Sequence, residues 1–343
     1  MLTVVDLRLT REQRQLSDSF AALFARESTS ERIRAAEPTG FDVRLWKALL
    51  ETGAVEMAVA EASGGWGASE LELCLLAEQF GRAVGSAPVI EAQVAARLLA
   101  ESGDAGTGLL AAVLGGGLLV TFAPRAAGGG RLAMVPSGAV ADHVIALVDG
   151  RLLAIPVGCD RTAVGNLASM PLADISIGKD FVVLADQAQA RDLFSGALDL
   201  WLTLTAVALT GAAAKAVQIG VEYARQRHAF GAPIGTFQAV SHPLADSATA
   251  ADGARLLGLK AACAFMDDPE RVRELSAMAF AFAYETARDA TRRSLHIHGG
   301  YGFGMECDIQ LYYRRVRGWG MVFGDPATAL DRAADARYGP AAG

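Results

Sequence analysis

The sequence predicts a mainly α protein interrupted by one small β domain. Apolar residues recur at helical spacing through the first third. Short β-rich runs broken by Gly, Pro and Asp follow. Long alanine-rich stretches of helical period then run to the end. These textures define three expected domains: an N-terminal helical domain over 1–117, a small β domain over 118–189, and a C-terminal four-helix bundle over 190–343. A chain of 343 residues is long enough to bury a core in each.

The N-terminal helices carry their own start and stop signals. Thr10 followed three residues on by Gln13 forms a capping box ahead of Leu16, Phe20 and Leu23. A short helix covers Leu45 to Leu50 and stops near Gly53. The run Gly64-Gly65-Trp66-Gly67 is too rich in glycine for helix or strand. Ser69 with Glu72 makes a second capping box, and its helix continues through Leu76 and Phe80 to end at Gly85, ahead of Pro88. A further helix spans about Ile90 to Glu101.

The β domain is read from five runs of strand length: Leu118–Phe122, Arg131–Val135, His143–Val148, Leu152–Val157 and Phe181–Ala185. The bundle is read from four helices: about Ala190–Gln226, Phe237–Phe265, Pro269–His296 and Cys307–Arg317. The apolar stretch from Leu193 to Val221 contains Asp199, Lys215 and many small residues. That composition suits a close-packed bundle helix better than a membrane span.

A net charge of −7 gives no electrostatic footprint for nucleic acid. The local cluster Arg314, Arg315 and Arg317 reads as a solvated helix face. The four cysteines have no metal-like spacing and fit a reduced, cytoplasmic setting, and the N-terminus lacks a secretory pattern.

Two runs carry chemistry. Arg225 to Asp246 reads RQRHAFGAPIGTFQAVSHPLAD, and Leu295 to Phe303 reads LHIHGGYGF. The guanidinium of Arg227 is a planar, permanently charged fork suited to a diphosphate, although an Arg there also serves as a helix C-terminal cation. Gly299 and Gly300 let a backbone approach a ligand and present N–H groups to it. His296 and His298, close together and isolated, suit a structural helix end better than a metal site.

Both runs, in this order, resemble the C-terminal half of the acyl-CoA dehydrogenases. Thr10-Arg-Glu-Gln13-Arg14, Glu51-Thr-Gly53, Gly64-Gly65-Trp66-Gly67 and Glu78-Gln-Phe-Gly81-Arg82 extend the resemblance into the first third. It covers nearly the whole chain and is weakest in the sheet domain. It implies that family's fold and an FAD-dependent α,β-desaturation of an acyl-CoA. By the same resemblance Arg227, Phe230, Gln238, His296, Gly299 and Gly300 contact FAD across a subunit interface, with His296 standing where the family usually has Gln.

The departures are as informative. Where the family wraps the flavin ring with a T-E-P-x-A-G-S-D loop and a Trp segment, this chain has Thr121-Phe-Ala-Pro124-Arg-Ala-Ala-Gly128-Gly129-Gly130, and no Trp between Trp66 and Trp201. The reaction removes a weakly acidic proton α to a thioester, which calls for a positioned carboxylate. Counting from Tyr313-Arg314, the family's Y-E-G-T run falls on Val322-Phe323-Gly324-Asp325. Registering on Gly211 and Phe230, the second location used in the family falls on Trp201. Neither aromatic accepts a proton. Asp325 becomes the base only in a shifted register, and misplacement by ~1 Å already costs about a hundredfold.

Three readings stand. One is a base-lacking partner of a second acyl-CoA dehydrogenase subunit that carries the catalytic Glu, similar to the α2β2 enzymes acting on CoA esters of shortened steroid side chains. Another is an active homo-oligomer using Asp325, and the third a flavin-free interaction protein. In the first two the resemblance implies an acyl-CoA substrate, and an electron-transfer flavoprotein as the acceptor. No metal, nucleic acid or membrane partner is expected.

Overall fold

The computed structural model describes residues 7–159 and 161–339. It is mainly helical with a small sheet region. Helix α1 (Arg11–Glu27) begins at the Thr10 capping box: Gln13 N–H donates to Thr10 Oγ1 at 3.2 Å and Thr10 N–H to Gln13 Oε1 at 3.0 Å. Then come α2 (Ser30–Ala36), α3 (Val43–Glu51), α4 (Glu70–Arg82), α5 (Val89–Glu101) and α6 (Asp104–Leu114). At Ser69 the reciprocal box is altered. The Glu72 carboxylate accepts from both the Ser69 N–H, at 2.8 Å, and the Ser69 hydroxyl, at 3.0 Å.

The strands are β1 (Val120–Phe122), β2 (Arg131–Val135), β3 (His143–Val148), β4 (Arg151–Pro156), β5 (Arg161–Ala163), β6 (Ala173–Ser176) and β7 (Val182–Asp186). They form two sheets, in the orders β1-β3-β4-β7 and β2-β6-β5. Leu132, Val144, Leu153, Ile155 and Ile175 form their common core. Strands β5 and β6 were not foreseen, since β5 is a short, wholly exposed run.

After the sheets come α7 (Gln187–Gln226), a two-stranded hairpin of β8 (His228–Ala229) and β9 (Ala232–Pro233), α8 (Gln238–Asp267), α9 (Val272–Ile297), α10 (Ile309–Met321) and α11 (Ala327–Tyr338). Helix α9 packs against α8, α10 and α11. By length and composition α7 could cross a membrane, but most of its apolar window is buried inside the protein. Its close packing has a definite cause. A Cβ on Gly81 would lie 1.8 Å from Ala208 O, and one on Gly211 would lie 2.2 Å from Glu78 O, so both contacts require glycine.

Two compact units emerge. One comprises Met1–Ser30, Cys74–Gly85 and Leu202–Gly343; the other comprises Glu31–Leu73 and Ser86–Trp201. The N-terminal helices are therefore shared between the units, and the sheets lie wholly in the second. Helices α2, α6 and α11 were also not foreseen. In α6 one of the two glycines that mask its pattern has a packing role: a Cβ at Gly106 would lie 2.1 Å from Leu99 O on α5.

Candidate functional site

Helix α7 ends at Gln226, and the chain turns at once into the β8–β9 hairpin. Its two-residue turn, Phe230-Gly231, has φ of +54° and +81°, both in the left-handed region that tight hairpins demand. Phe230 therefore projects into solvent, 97 % exposed, and its ring meets Phe237 edge-on at 6.2 Å. Arg227 is fixed from both sides. Its N–H donates to Tyr223 O at 2.8 Å, and its carbonyl accepts from Ile234 N–H at 2.8 Å. The main chain is held there, and the Arg227 side chain is exposed.

The opposite wall comes from the end of α9. His298 is buried, with Nδ1 2.7 Å from Ser294 O, and its ring stacks on Tyr223 at 4.1 Å between centroids and 23° between planes. The chain then enters a single-turn helix, Gly299–Phe303. Gly299 has φ of +60°, and no atom stands within 4 Å of where a Cβ would project on Gly299 or Gly300. The glycines thus leave their backbone uncovered.

Arg227, Gly299 and Gly300 line one cleft of about 770 Å³, together with Tyr223, Gln226 and His298. Three of the six expected binding residues are therefore brought together. The other three lie outside this lining: Phe230 at the hairpin tip, Gln238 at the first position of α8, and His296 exposed near the end of α9. Tyr223 and Gln226 had not been singled out. Nothing local in the sequence marks Tyr223, because its significance comes from the distant His298 ring.

The electrostatics of this cleft rest on one side chain. Both α7 and α9 terminate here, and helix C-termini carry partial negative charge that opposes an anion. The permanent cation Arg227 offsets this. An exposed guanidinium, an uncovered glycine backbone and the Gln226 amide make a donor set suited to a phosphorylated group. The residues present therefore fit the diphosphate part of a dinucleotide.

The two positions registered to the family's base have different surroundings. Trp201 is fully buried on α7, and its Nε1–H donates to Glu91 Oε1 on α5 at 3.3 Å. Burial pushes the Glu91 carboxyl above the ordinary carboxylate range, although its own backbone N–H and the indole pull the other way. Glu91 is a titratable group that the sequence reading passed over; α5 also carries Gln93, Arg97 and Glu101, so nothing local set Glu91 apart. Phe323 is half-buried, and its ring meets Phe280 edge-on at 6.0 Å and 81°. Asp325 is exposed and serves the start of α11: Oδ1 accepts from Ala327 N–H at 3.0 Å, and its carbonyl from the Thr328 hydroxyl at 2.7 Å.

In the sheet region Thr121 is fully buried, and its hydroxyl donates to Pro136 O at 2.7 Å, so its one proton is used internally. Phe122 packs against Phe194 at 5.5 Å. Strands β2 and β3 are joined only by residues 136–142, a turn without tryptophan. Among the described residues no cluster of His, Cys, Asp or Glu could hold a metal ion.

Comparison with known proteins adds the following. Residues 10–107 match the family model for the acyl-CoA dehydrogenase N-terminal domain, and residues 194–336 match that for the C-terminal domain. The acyl-CoA dehydrogenase IpdE2 of Mycobacterium tuberculosis is 27 % identical over 329 residues, spanning 94 % of this chain and 96 % of the relative. A variant of the Tcur3481-Tcur3483 steroid ACAD superposes with a TM-score of 0.85 at 26 % identity, over 95 % of this chain and 97 % of that one. The ChsE4-ChsE5 complex from M. tuberculosis shares the fold, with a TM-score of 0.88 at 23 % identity over 98 % and 100 % of the two chains.

Proposed function

We propose that this chain, which belongs to the acyl-CoA dehydrogenase family, is the base-lacking subunit of a heteromeric enzyme that desaturates a bulky, steroid-derived acyl-CoA in the cytoplasm. The observation that carries the reading is the state of the two base positions. One holds an indole bonded to a buried carboxyl, and the other holds a phenyl ring in an aromatic pair.

A proton α to a thioester is too weakly acidic to leave without a carboxylate beside it. An indole and a phenyl ring exclude water and shape a surface, but they accept no proton. Asp325 is a poor substitute because its carboxylate already caps α11. The base therefore comes from a second subunit carrying the catalytic Glu. The names of two relatives support such pairing, one being a complex and the other a steroid enzyme named for two components.

This chain's own contribution is to hold FAD. Arg227 neutralises the diphosphate, and the Gly299-Gly300 backbone and Gln226 supply hydrogen bonds along one cleft. Phe230, Gln238 and His296 extend the contact from the hairpin and the adjoining helix ends. When bound, FAD supplies the acceptor for the substrate's β-hydride. An electron-transfer flavoprotein then takes the electrons. The absent ring-wrapping segment and the inward-turned Thr121 support a cofactor held jointly with the partner rather than by this chain alone.

Co-expression with neighbouring acyl-CoA dehydrogenase genes, followed by absorbance in the flavin bands, tests the reading. A chain that is colourless alone and yellow only in a complex supports it. A chain that is yellow alone and is bleached by an acyl-CoA refutes it.

A further inference from the structure

Successive contacts join the two helices that end at the Arg227 cleft. First α7 and α9 approach closely: a Cβ on Gly220 would lie 2.8 Å from Ser294 Oγ and 3.2 Å from Ser294 Cβ. One turn on, the Tyr223 ring in the last turn of α7 stacks on the ring of His298, the residue that caps α9. Arg227 follows Tyr223 on one side, and Gly299-Gly300 follow His298 on the other.

Each ring is tied to the wall it serves. Tyr223 O accepts the Arg227 N–H at 2.8 Å, so that ring and the arginine share one turn of chain. Across the cleft, Ser294 O accepts from His298 Nδ1 at 2.7 Å and from the His298 main-chain N–H at 3.4 Å. A carbonyl only accepts, so Nδ1 carries the proton and the imidazole is held in one orientation. The Gly299–Phe303 turn folds back onto the same residue: a Cβ on Gly302 would lie 2.7 Å from Leu295 O and 3.0 Å from His298 Cβ. The stack is also a partition. Tyr223 and His298 line both the Arg227 cleft and a second cleft of about 750 Å³, which Phe24 and Arg82 also line.

We infer that the Tyr223–His298 stack is a positioning pair. It sets the separation between the Arg227 guanidinium and the Gly299-Gly300 backbone, and it closes their cleft off from the second one, so that a diphosphate meets a preformed site. This inference rests on the cofactor reading above and assigns the two residues that hold the shape of that site. An arginine on a long side chain and an uncovered glycine turn define no distance between themselves. A site ordered only at the moment of binding loses affinity to that ordering. Stacked rings supply a preferred spacing and orientation that an aliphatic pair lacks. Both residues act through Arg227 and the glycine pair, and removing either ring frees both walls and merges the two clefts.

The test measures FAD affinity of the deflavinated complex by fluorescence titration. Tyr223→Leu and His298→Ala remove the stack from opposite sides, and either one that folds by far-UV dichroism suffices. Each should lower FAD affinity about tenfold, whereas Tyr223→Phe, which keeps the ring, holds it within about twofold of wild type. The double variant should lose no more than the weaker-binding single one, because the same stack is removed in each case. In the chain without flavin, the main-chain amides of Arg227, Gly299 and Gly300 should exchange hydrogen faster in both ringless variants. Wild-type affinity and exchange in a folded ringless variant overturn the inference, and so does a Tyr223→Phe variant as weak as Tyr223→Leu. Arg227→Ala is measured alongside. If it loses flavin while the ringless variants keep theirs, the cofactor reading stands and the positioning role falls. If Arg227→Ala also binds FAD normally, the cofactor reading fails and this inference with it.

Discussion

The cleft around Arg227 and the two base positions teach opposite lessons about how a family motif survives. At the cleft, the functional groups are exposed and held by backbone geometry: Arg227 by two main-chain hydrogen bonds, Gly299 and Gly300 by the turn that ends α9. At the base positions the replacement side chains are absorbed into the protein. Trp201 is fully buried and bonded to Glu91, and Phe323 is paired with Phe280. Both side chains serve packing in this structure.

The contrast is sharpest at Trp201. If this residue is structural, Trp201→Ala costs about 3–5 kcal/mol, the usual range for emptying a large buried aromatic site. A large fall in the melting temperature checks it. A stable variant breaks the comparison, because it shows the indole occupies a vacant substrate space instead of a packed core.

Arg227→Ala should do the reverse. Its exposed side chain contributes little to folding, so the melting temperature stays within a degree or two, whereas flavin content of the complex falls. Loss of one charged hydrogen-bonding group is worth about 1.5–3 kcal/mol, or roughly tenfold to a hundredfold in affinity. Flavin absorbance per complex measures it, and unchanged flavin content removes the central assignment of the cleft.

Asp325→Ala separates capping from catalysis. Loss of an N-terminal helix cap costs ~1 kcal/mol, so a small melting shift with unchanged turnover of the complex is expected. Turnover that collapses with Asp325 makes it the base after all.

The smallest effect at any one pH comes from Glu91. Burial raises its pKa in the folded chain, so folding takes up a proton between the unfolded and folded values. Its favourable contribution is full below the unfolded pKa and is lost as pH rises through the folded one. Glu91→Gln keeps an acceptor for the Trp201 indole and removes the titration. The melting temperature of the variant should fall less than that of the wild type as pH rises. Parallel curves mean that Glu91 is solvated and ordinary.

Much of the fold was legible because its signals are local. The Thr10 capping box and the runs that became β2 and β3 are written within a few residues of where they act. Helix α6 was hidden because Gly106, a poor helix former, is required where α6 meets α5, and the sequence shows the weakness without the contact. In the cleft, Arg227 and the Gly299-Gly300 pair were readable as candidates because each lies in a short run that carries the family resemblance. Tyr223 and Glu91 were not, because each gains its meaning from a ring far away in the chain.

By itself the sequence determined the family, the order of helices and sheets, and the absence of a carboxylate at the registered base positions, because periodicity, caps and motifs are short-range properties of the chain. Only the tertiary structure decided that three of the six expected binding residues share one cleft, that Trp201 is bonded to a buried acid, and that the Tyr223 and His298 rings stack between two clefts. Burial and the meeting of distant side chains follow from packing, and no local pattern encodes which residue will face which.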